Sequence, residues 1–396
     1  MTRKIEKKIE KIFGAPIKQI PKGSFNNVLG AIQSGHFKTF TDNFFSRLAR
    51  ISTFLQLHSI PPKQVLEKVS DVLSEHGYKW AGPYSELVAF DFLLSFPNLR
   101  NVQYIRKGPV ANFPKSLAQK MGQKEVDIDF SFDLDFCEVF SDVKALIPTH
   151  FEMLDIIYQT AKKQVPNKLF AIGVDDLNEV DFLRSQKDLE TEIKSGGLLK
   201  NIVMAINSET TFLKHRLSSG IELNFRLAFG DQYRGSYLFT SRAIDPYRLA
   251  NDYKFRLINF PNKLFLKSAS MLILVSHPWF NKEMHPFDEA KNAFYRSLSR
   301  RVFIELQRDT TDITTLFPKL KCNGISVKDV SGLISGVIFL EDYSTTVKCE
   351  DQLKSYIFLN PNASNRILKK GDFGSFFHGA MKYKPEIVDD FYFDNY

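Results

Sequence analysis

The chain has 396 residues, 43% of them hydrophobic and 13% aromatic, which is ample material for packed cores and excludes a disordered polymer. Its 53 basic against 45 acidic residues leave a formal charge of +8, which fits a polyanionic partner without specifying one. The three cysteines, Cys137, Cys322 and Cys349, are too few and too far apart for a disulfide framework or a CxxC zinc site, and point to a reducing compartment.

The first segment, MTRKIEKKIEKIF, sets Ile5, Ile9, Ile12 and Phe13 at helical spacing beneath a basic face. It is charged where a signal peptide needs its apolar stretch, and no run approaches the ~20 apolar residues of a membrane span, so the expectation is a cytoplasmic protein with no membrane partner. Residues 1–80 read as mostly helical. In PPKQVLEKVSDVLSEHG the prolines Pro61 and Pro62 mark a start, Val65, Leu66, Val69, Val72 and Leu73 form one stripe, and Gly77 stands where a C-terminal cap belongs. From Tyr84 onward SELVAFDFLLSF predicts a largely buried helix and NVQYI a short strand. THFEMLDIIYQTAKKQ then predicts a helix opened by Thr149 and Glu152 at capping-box spacing, and KLFAIGV a buried strand. Further on, a helix is expected around Glu179 to Ser195, closed by Gly196 and Gly197, while NIVMAI and SMLILV read as buried strands. The helix in HPFDEAKNAFYRSLSRRVFIEL carries Lys291, Arg296, Arg300 and Arg301 toward one side, where they could follow a phosphate backbone or simply be solvated.

Between these elements lies KEVDIDFSFDLDFCEVFSDVKAL, Lys124 to Leu146, with seven carboxylates around an apolar run. Read as a strand, it sends Val126, Ile128, Phe130 and Phe132 one way and Glu125, Asp127 and Asp129 the other. The next strand alternates too, with Glu138, Phe140, Asp142 and Lys144 on one face. A turn on Leu134 and Asp135 would set Asp127 opposite Asp142 and Glu125 opposite Lys144. Two like charges in direct opposition call for a cation between them. A hard divalent ion such as Mg2+ or Mn2+, held by Asp127, Asp142 and the Val143 carbonyl, meets that need, and Lys144 is placed to orient or deprotonate a water. That is apparatus for hydrolysing a phosphodiester.

Asp127 followed by Asp142-Val143-Lys144, with Glu86 on a preceding helix, resembles the PD-(D/E)xK nuclease superfamily over roughly Pro83 to Asp175. The resemblance implies an α/β protein with a restriction-endonuclease-like core of helix, three strands, helix and strand. Around that core are expected a helical N-terminal region at 1–80, the nuclease core at 81–240 and a C-terminal α/β extension at 241–396 that lengthens the same sheet. It implies Glu86, Asp127, Asp142 and Lys144 as the catalytic group, with Asp127, Asp142 and Glu86 holding Mg2+ or Mn2+ and a glutamine, Gln159 or Gln164, assisting. It also implies a nucleic-acid substrate, DNA before RNA, a restriction or anti-phage role, and a homodimer or partner protein for cutting two strands. The residue before Asp127 is Val126 rather than proline, and Glu138 offers an alternative third-strand acid in a register that would face it toward Asp129.

Competing chemistries lack their residues: there is no GxGxxG after a strand, no GxxxxGK[ST] and no HExxH. His277 and His285 near Trp279 read as loop histidines, and Tyr84 and the tail FYFDNY as packing groups. A non-catalytic nucleic-acid or protein-binding module on the same fold is the rival reading.

Overall fold

The computed structural model describes residues 2–20, 28–75, 77–96, 99–134, 137–147, 149–175, 189, 191–233, 237–240, 245–280, 288–317, 320, 324–347, 352–368, 386–389 and 391. The described residues up to Leu94 are mainly helical, with α1 (Thr2–Phe13), α2 (Val28–Ser34), α3 (Lys38–Leu57), α4 (Lys63–Ser74) and α5 (Ala81–Leu94). α1 buries Ile5, Ile9 and Phe13, and Lys8 lies 3.7 Å over the Phe45 ring, so this basic helix is docked. α4 buries the stripe Val65, Leu66, Val69, Val72 and Leu73 anticipated from its spacing. Two residues after its cap, Gly77 takes a positive φ of 59°, where a Cβ would run into the Asp155 carboxylate. α5 is apolar on nearly every side, which matches a helix covered all round.

Seven strands form one mixed sheet in the order β1-β2-β3-β8-β9-β10-β11. Their ranges are β1 Arg100–Pro109, β2 Glu125–Asp133, β3 Glu138–Ala145, β8 Ala269–Ser276, β9 Gly336–Asp342, β10 Leu353–Leu359 and β11 Glu386–Val388. β1, β2 and β3 are antiparallel neighbours, and β3, β8 and β9 run parallel. β8 is buried along its whole length, as a central strand covered on both faces must be. Met271, Ile273 and Val275 join the core under the N-terminal helices, while Leu272 and Leu274 join one with α9 (Pro246–Leu257) and α10 (Asp288–Arg300). The result is three layers, helices on either side of a sheet, which is the expected α/β class. A short helix, α6 (Leu117–Lys120), follows β1.

A second sheet, in the order β5-β6-β4-β7, has its own core with α7 (Thr149–Gln164) and α8 (Gly197–Asn207). Its strands are β4 Phe170–Val174, β5 Phe212–Arg216, β6 Glu222–Phe229 and β7 Tyr237–Thr240. KLFAIGV is therefore a strand, but of this sheet, and β8 is the parallel neighbour of β3 instead. The large sheet thus draws strands from both sides of residue 240, with β8 of the C-terminal region at its centre. NIVMAI is helical rather than extended: Leu198, Leu199, Ile202, Ala205 and Ile206 follow a helical period that a six-residue window does not reveal. Most of Glu179 to Ser195, and His285, Cys322 and Cys349, lie outside the described residues. Phe391 packs with Phe303 and Phe358, so the aromatic tail begins as a packing element. Among the described residues no helix is long and apolar enough to cross a membrane.

Candidate active site

The acidic hairpin is present, in a different register from the anticipated one. Phe130 pairs with Ser141, Ser131 with Phe140, Phe132 with Val139 and Asp133 with Glu138, and Leu134 N–H donates to Cys137. The pairing is therefore shifted by two residues from the one a turn on Leu134 and Asp135 would give, Asp135 itself lying outside the described residues, and one step past the last paired residues stand Asp129 and Asp142. Asp127 is exposed and pairs instead with Lys107 on β1. Glu125 meets Lys107 at 3.8 Å rather than Lys144. Glu138 is exposed and faces Asp133, so it does not form the alternative pair with Asp129.

Burial along β2 alternates as a half-covered strand should: Val126, Ile128 and Phe130 are covered, and Glu125 and Asp127 are not. Phe140 of β3 is also buried, stacked on Phe265 at 4.1 Å. Beyond Phe130 a side chain takes over from the ladder, since Val143 N–H donates to Asp129 Oδ2 at 2.7 Å. Asp142, 2% exposed, meets Lys144 Nζ at 2.7 Å through Oδ2, and Lys263 donates to its Oδ1. Lys144 also rests 4.2 Å from the centre of the Phe260 ring. Glu86 reaches the same neighbourhood from α5, where Lys68 Nζ donates to it at 2.8 Å and Tyr104 O–H at 3.3 Å. Phe90 and Phe130 pack around Tyr104, at 4.9 and 5.0 Å.

These groups sense one another. Burial pushes the Asp129 carboxyl well above its ordinary range, and the charges of Asp142 and Glu86 push it the same way. Burial also raises Glu86, only partly offset by Lys68 and Tyr104. Asp142 goes the other way: burial would raise it, but Lys144 and Lys263, with a hydrogen bond from Asp129, outweigh that and hold it below the usual carboxylate range. Lys263 is raised because Asp142 and Asp129 outweigh the effect of its burial. The two neighbouring carboxyls are thus pushed apart, Asp129 upward and Asp142 downward.

Of the anticipated residues, Glu86, Asp142 and Lys144 come together, while Asp127 stands at the rim. Asp129, Lys263, Lys68 and Tyr104 join them unforeseen. The acid run held the signal for Asp129, but nothing marked Lys263, remote in sequence from the hairpin. Gln159 donates to Asp155 within α7, whose apolar residues Leu154, Ile157 and Tyr158 pack in the core of the small sheet. The basic side of α10 is also committed: Lys291 is buried against Glu341 and Tyr343, and Arg300 and Arg301 pair with Glu305.

A separate buried network needs no catalytic role. Arg47, fully covered, bridges Asp91 at 3.4 Å and Asp342 at 3.2 Å, and Tyr84 O–H donates to Asp342 at 2.5 Å. It ties α3 and α5 to the end of β9. His277 stacks among Trp80, Tyr84 and Phe280 as a packed aromatic.

Among the described residues no three His, Cys, Asp or Glu side chains converge closely enough to form a metal cage. The smaller set of Asp129 and Asp142 does suit a hard cation, because Mg2+ is commonly held by one or two carboxylates and completed by water and substrate phosphate. At Asp129 the charges of Asp142 and Glu86 add to the effect of burial, whereas Glu86 is raised by burial against the pull of Lys68 and Lys263. Comparison with known proteins gives no match to any family model, curated protein or solved structure.

Proposed function

We propose that the chain is a metal-dependent nuclease that hydrolyses phosphodiester bonds of nucleic acid, DNA before RNA, on a restriction-endonuclease-like core of the PD-(D/E)xK type. The observation that carries this reading is the meeting of Asp129, Asp142 and Lys144 at the end of the β2–β3 ladder, with Glu86 beside them. The order of α5, antiparallel β1, β2 and β3, and parallel β8 supports it. Asp129 takes the part first assigned to Asp127, which remains at the rim close enough to act on Lys263.

In this reading Asp129 and Asp142 hold Mg2+ or Mn2+, with Glu86 as the third acid. Such an ion lowers the pKa of a bound water and stabilises charge on a phosphoryl oxygen. The chain's own residues do the rest. Lys144, 30% exposed and steadied over Phe260, presents its ammonium to the attacking water or to charge developing on the phosphate. Lys68 and Tyr104 fix the Glu86 carboxylate from behind. The covered floor, with Asp142 at 2% exposure, strengthens each of these interactions relative to water. A cytoplasmic setting, a restriction or anti-phage role, and a homodimer or partner protein that supplies a second cut belong to the same proposal.

The test is incubation of plasmid and single-stranded substrates with Mg2+ or Mn2+. Cleavage by the native chain, lost in Asp129→Asn, Asp142→Ala and Lys144→Ala, is the expected result. Cleavage undiminished in all three variants would move the activity elsewhere. One observation favours the non-catalytic rival: each of the two deepest acids, Glu86 and Asp142, already has a lysine partner. Salt-sensitive binding without cleavage in either metal would select that rival.

A further inference from the structure

Lys263 lies outside the hairpin and the resemblance, yet donates to its central carboxylate, Asp142. It sits in the 3-10 turn Pro261–Lys263 just before β8, and that turn is rigidly anchored. Pro261 fixes its start, Lys263 N–H donates to Phe260 at 3.0 Å, and Leu264 N–H donates to Pro261 at 3.0 Å. Leu117 N–H donates in turn to Leu264 at 3.0 Å, and Ser116 forms a bridge with Phe265. The backbone of Lys263 is thus held in place, and its four-carbon stem is the movable part.

Both oxygens of Asp142 face ammonium groups, Oδ2 with Lys144 and Oδ1 with Lys263. A divalent ion cannot approach Oδ1 while an ammonium sits on it, because like charges at contact distance repel strongly in a covered site. Lys144 can stay by retaining Oδ2 and Phe260, whereas Lys263 sits on Oδ1, where the charges of both Asp142 and Asp129 act on it. We propose that Lys263 is a tethered counter-ion, which occupies Asp142 in the metal-free protein and swings away when a divalent cation binds. Released, it is a free ammonium at the mouth of the site, suited to a substrate phosphate oxygen. The cation and the phosphate are thereby coupled, since loading the first frees the cationic group for the second. This inference rests on the metal-site reading above.

The experiment measures Mn2+ binding by calorimetry for the native chain, Lys263→Met, Lys263→Gln and Lys263→Arg. Lys263→Met should bind Mn2+ about tenfold more tightly than the native chain, the effect of no longer having to break a charged hydrogen bond. Lys263→Gln should fall between, and Lys263→Arg should stay near native because it keeps the charge. Equal, measurable affinity across the series would leave the metal site standing and overturn the counter-ion role alone. No Mn2+ binding in any of them would overturn both. A second readout needs no variant: amine acylation of the native chain, read by mass spectrometry, should increase at Lys263 on adding Mn2+, while exposed Lys107 stays constant. Unchanged labelling of Lys263 at saturating Mn2+ would also overturn the proposal.

Discussion

Replacing Asp129 by asparagine should stabilise the metal-free protein while destroying its affinity for metal. The asparagine Oδ1 can still accept from Val143 N–H, a bond of 2.7 Å in the native chain, and its amide can donate to Asp142 where the native carboxyl must first acquire a proton. A carboxyl raised in the fold holds its proton more tightly folded than unfolded. Stability of the metal-free chain therefore falls as pH rises from the ordinary aspartate range toward that raised value, and is free of the penalty below it. At pH 7 the penalty is bounded by the distance from the usual aspartate range to neutrality, about 4 kcal/mol at about 1.4 kcal/mol per pH unit. Asparagine removes it, so Asp129→Asn should raise Tm at pH 7, by no more than that bound allows. It should also flatten the decline with pH. Thermal melts of both proteins in chelator at pH 5 and pH 7, with Mn2+ calorimetry alongside, test it. A lower Tm for Asp129→Asn at pH 7 would mean that Asp129 is stabilised as a charge by Lys263, and would refute the reasoning.

Lys144→Ala should cut cleavage by about 10²- to 10⁴-fold, the usual contribution of a positioned acid–base or charge-stabilising group. Its Tm should shift by only ~1–2 °C, because Asp142 keeps Lys263 and Lys144 is 30% exposed; a collapse of the fold would give Lys144 a structural role. Arg47→Ala leaves Asp342 without its buried guanidinium, and should cost about 3–5 kcal/mol in denaturant unfolding. A loss below ~1 kcal/mol would show that Tyr84 O–H and Ser344 N–H satisfy that carboxylate without it. Joint Arg300→Ala and Arg301→Ala should change nucleic-acid affinity less than about twofold, because both cations are engaged by Glu305. A large loss with a shallower salt slope would return them to the phosphate backbone.

Local pattern settled what local pattern can settle. The stripe of α4, the covered α5, the buried strand β8 and the alternating burial of β2 all follow from residues whose spacing matches one structural period. The presence of an acid-rich hairpin carrying Asp142 and Lys144 was legible for the same reason. Its register was not, because a turn displaced by one residue moves the facing partner by two, and both Asp127 and Asp129 satisfy the alternation. The sheet to which a strand belongs was equally undetermined: KLFAIGV and SMLILV are both short apolar runs, and only tertiary packing sends the first to the small sheet and seats the second beside β3. Lys263 shows the limit most plainly. It is an ordinary lysine in PNKLFL until the parallel pairing of β8 with β3 carries its turn to Asp142, an approach set by the strand order of the sheet.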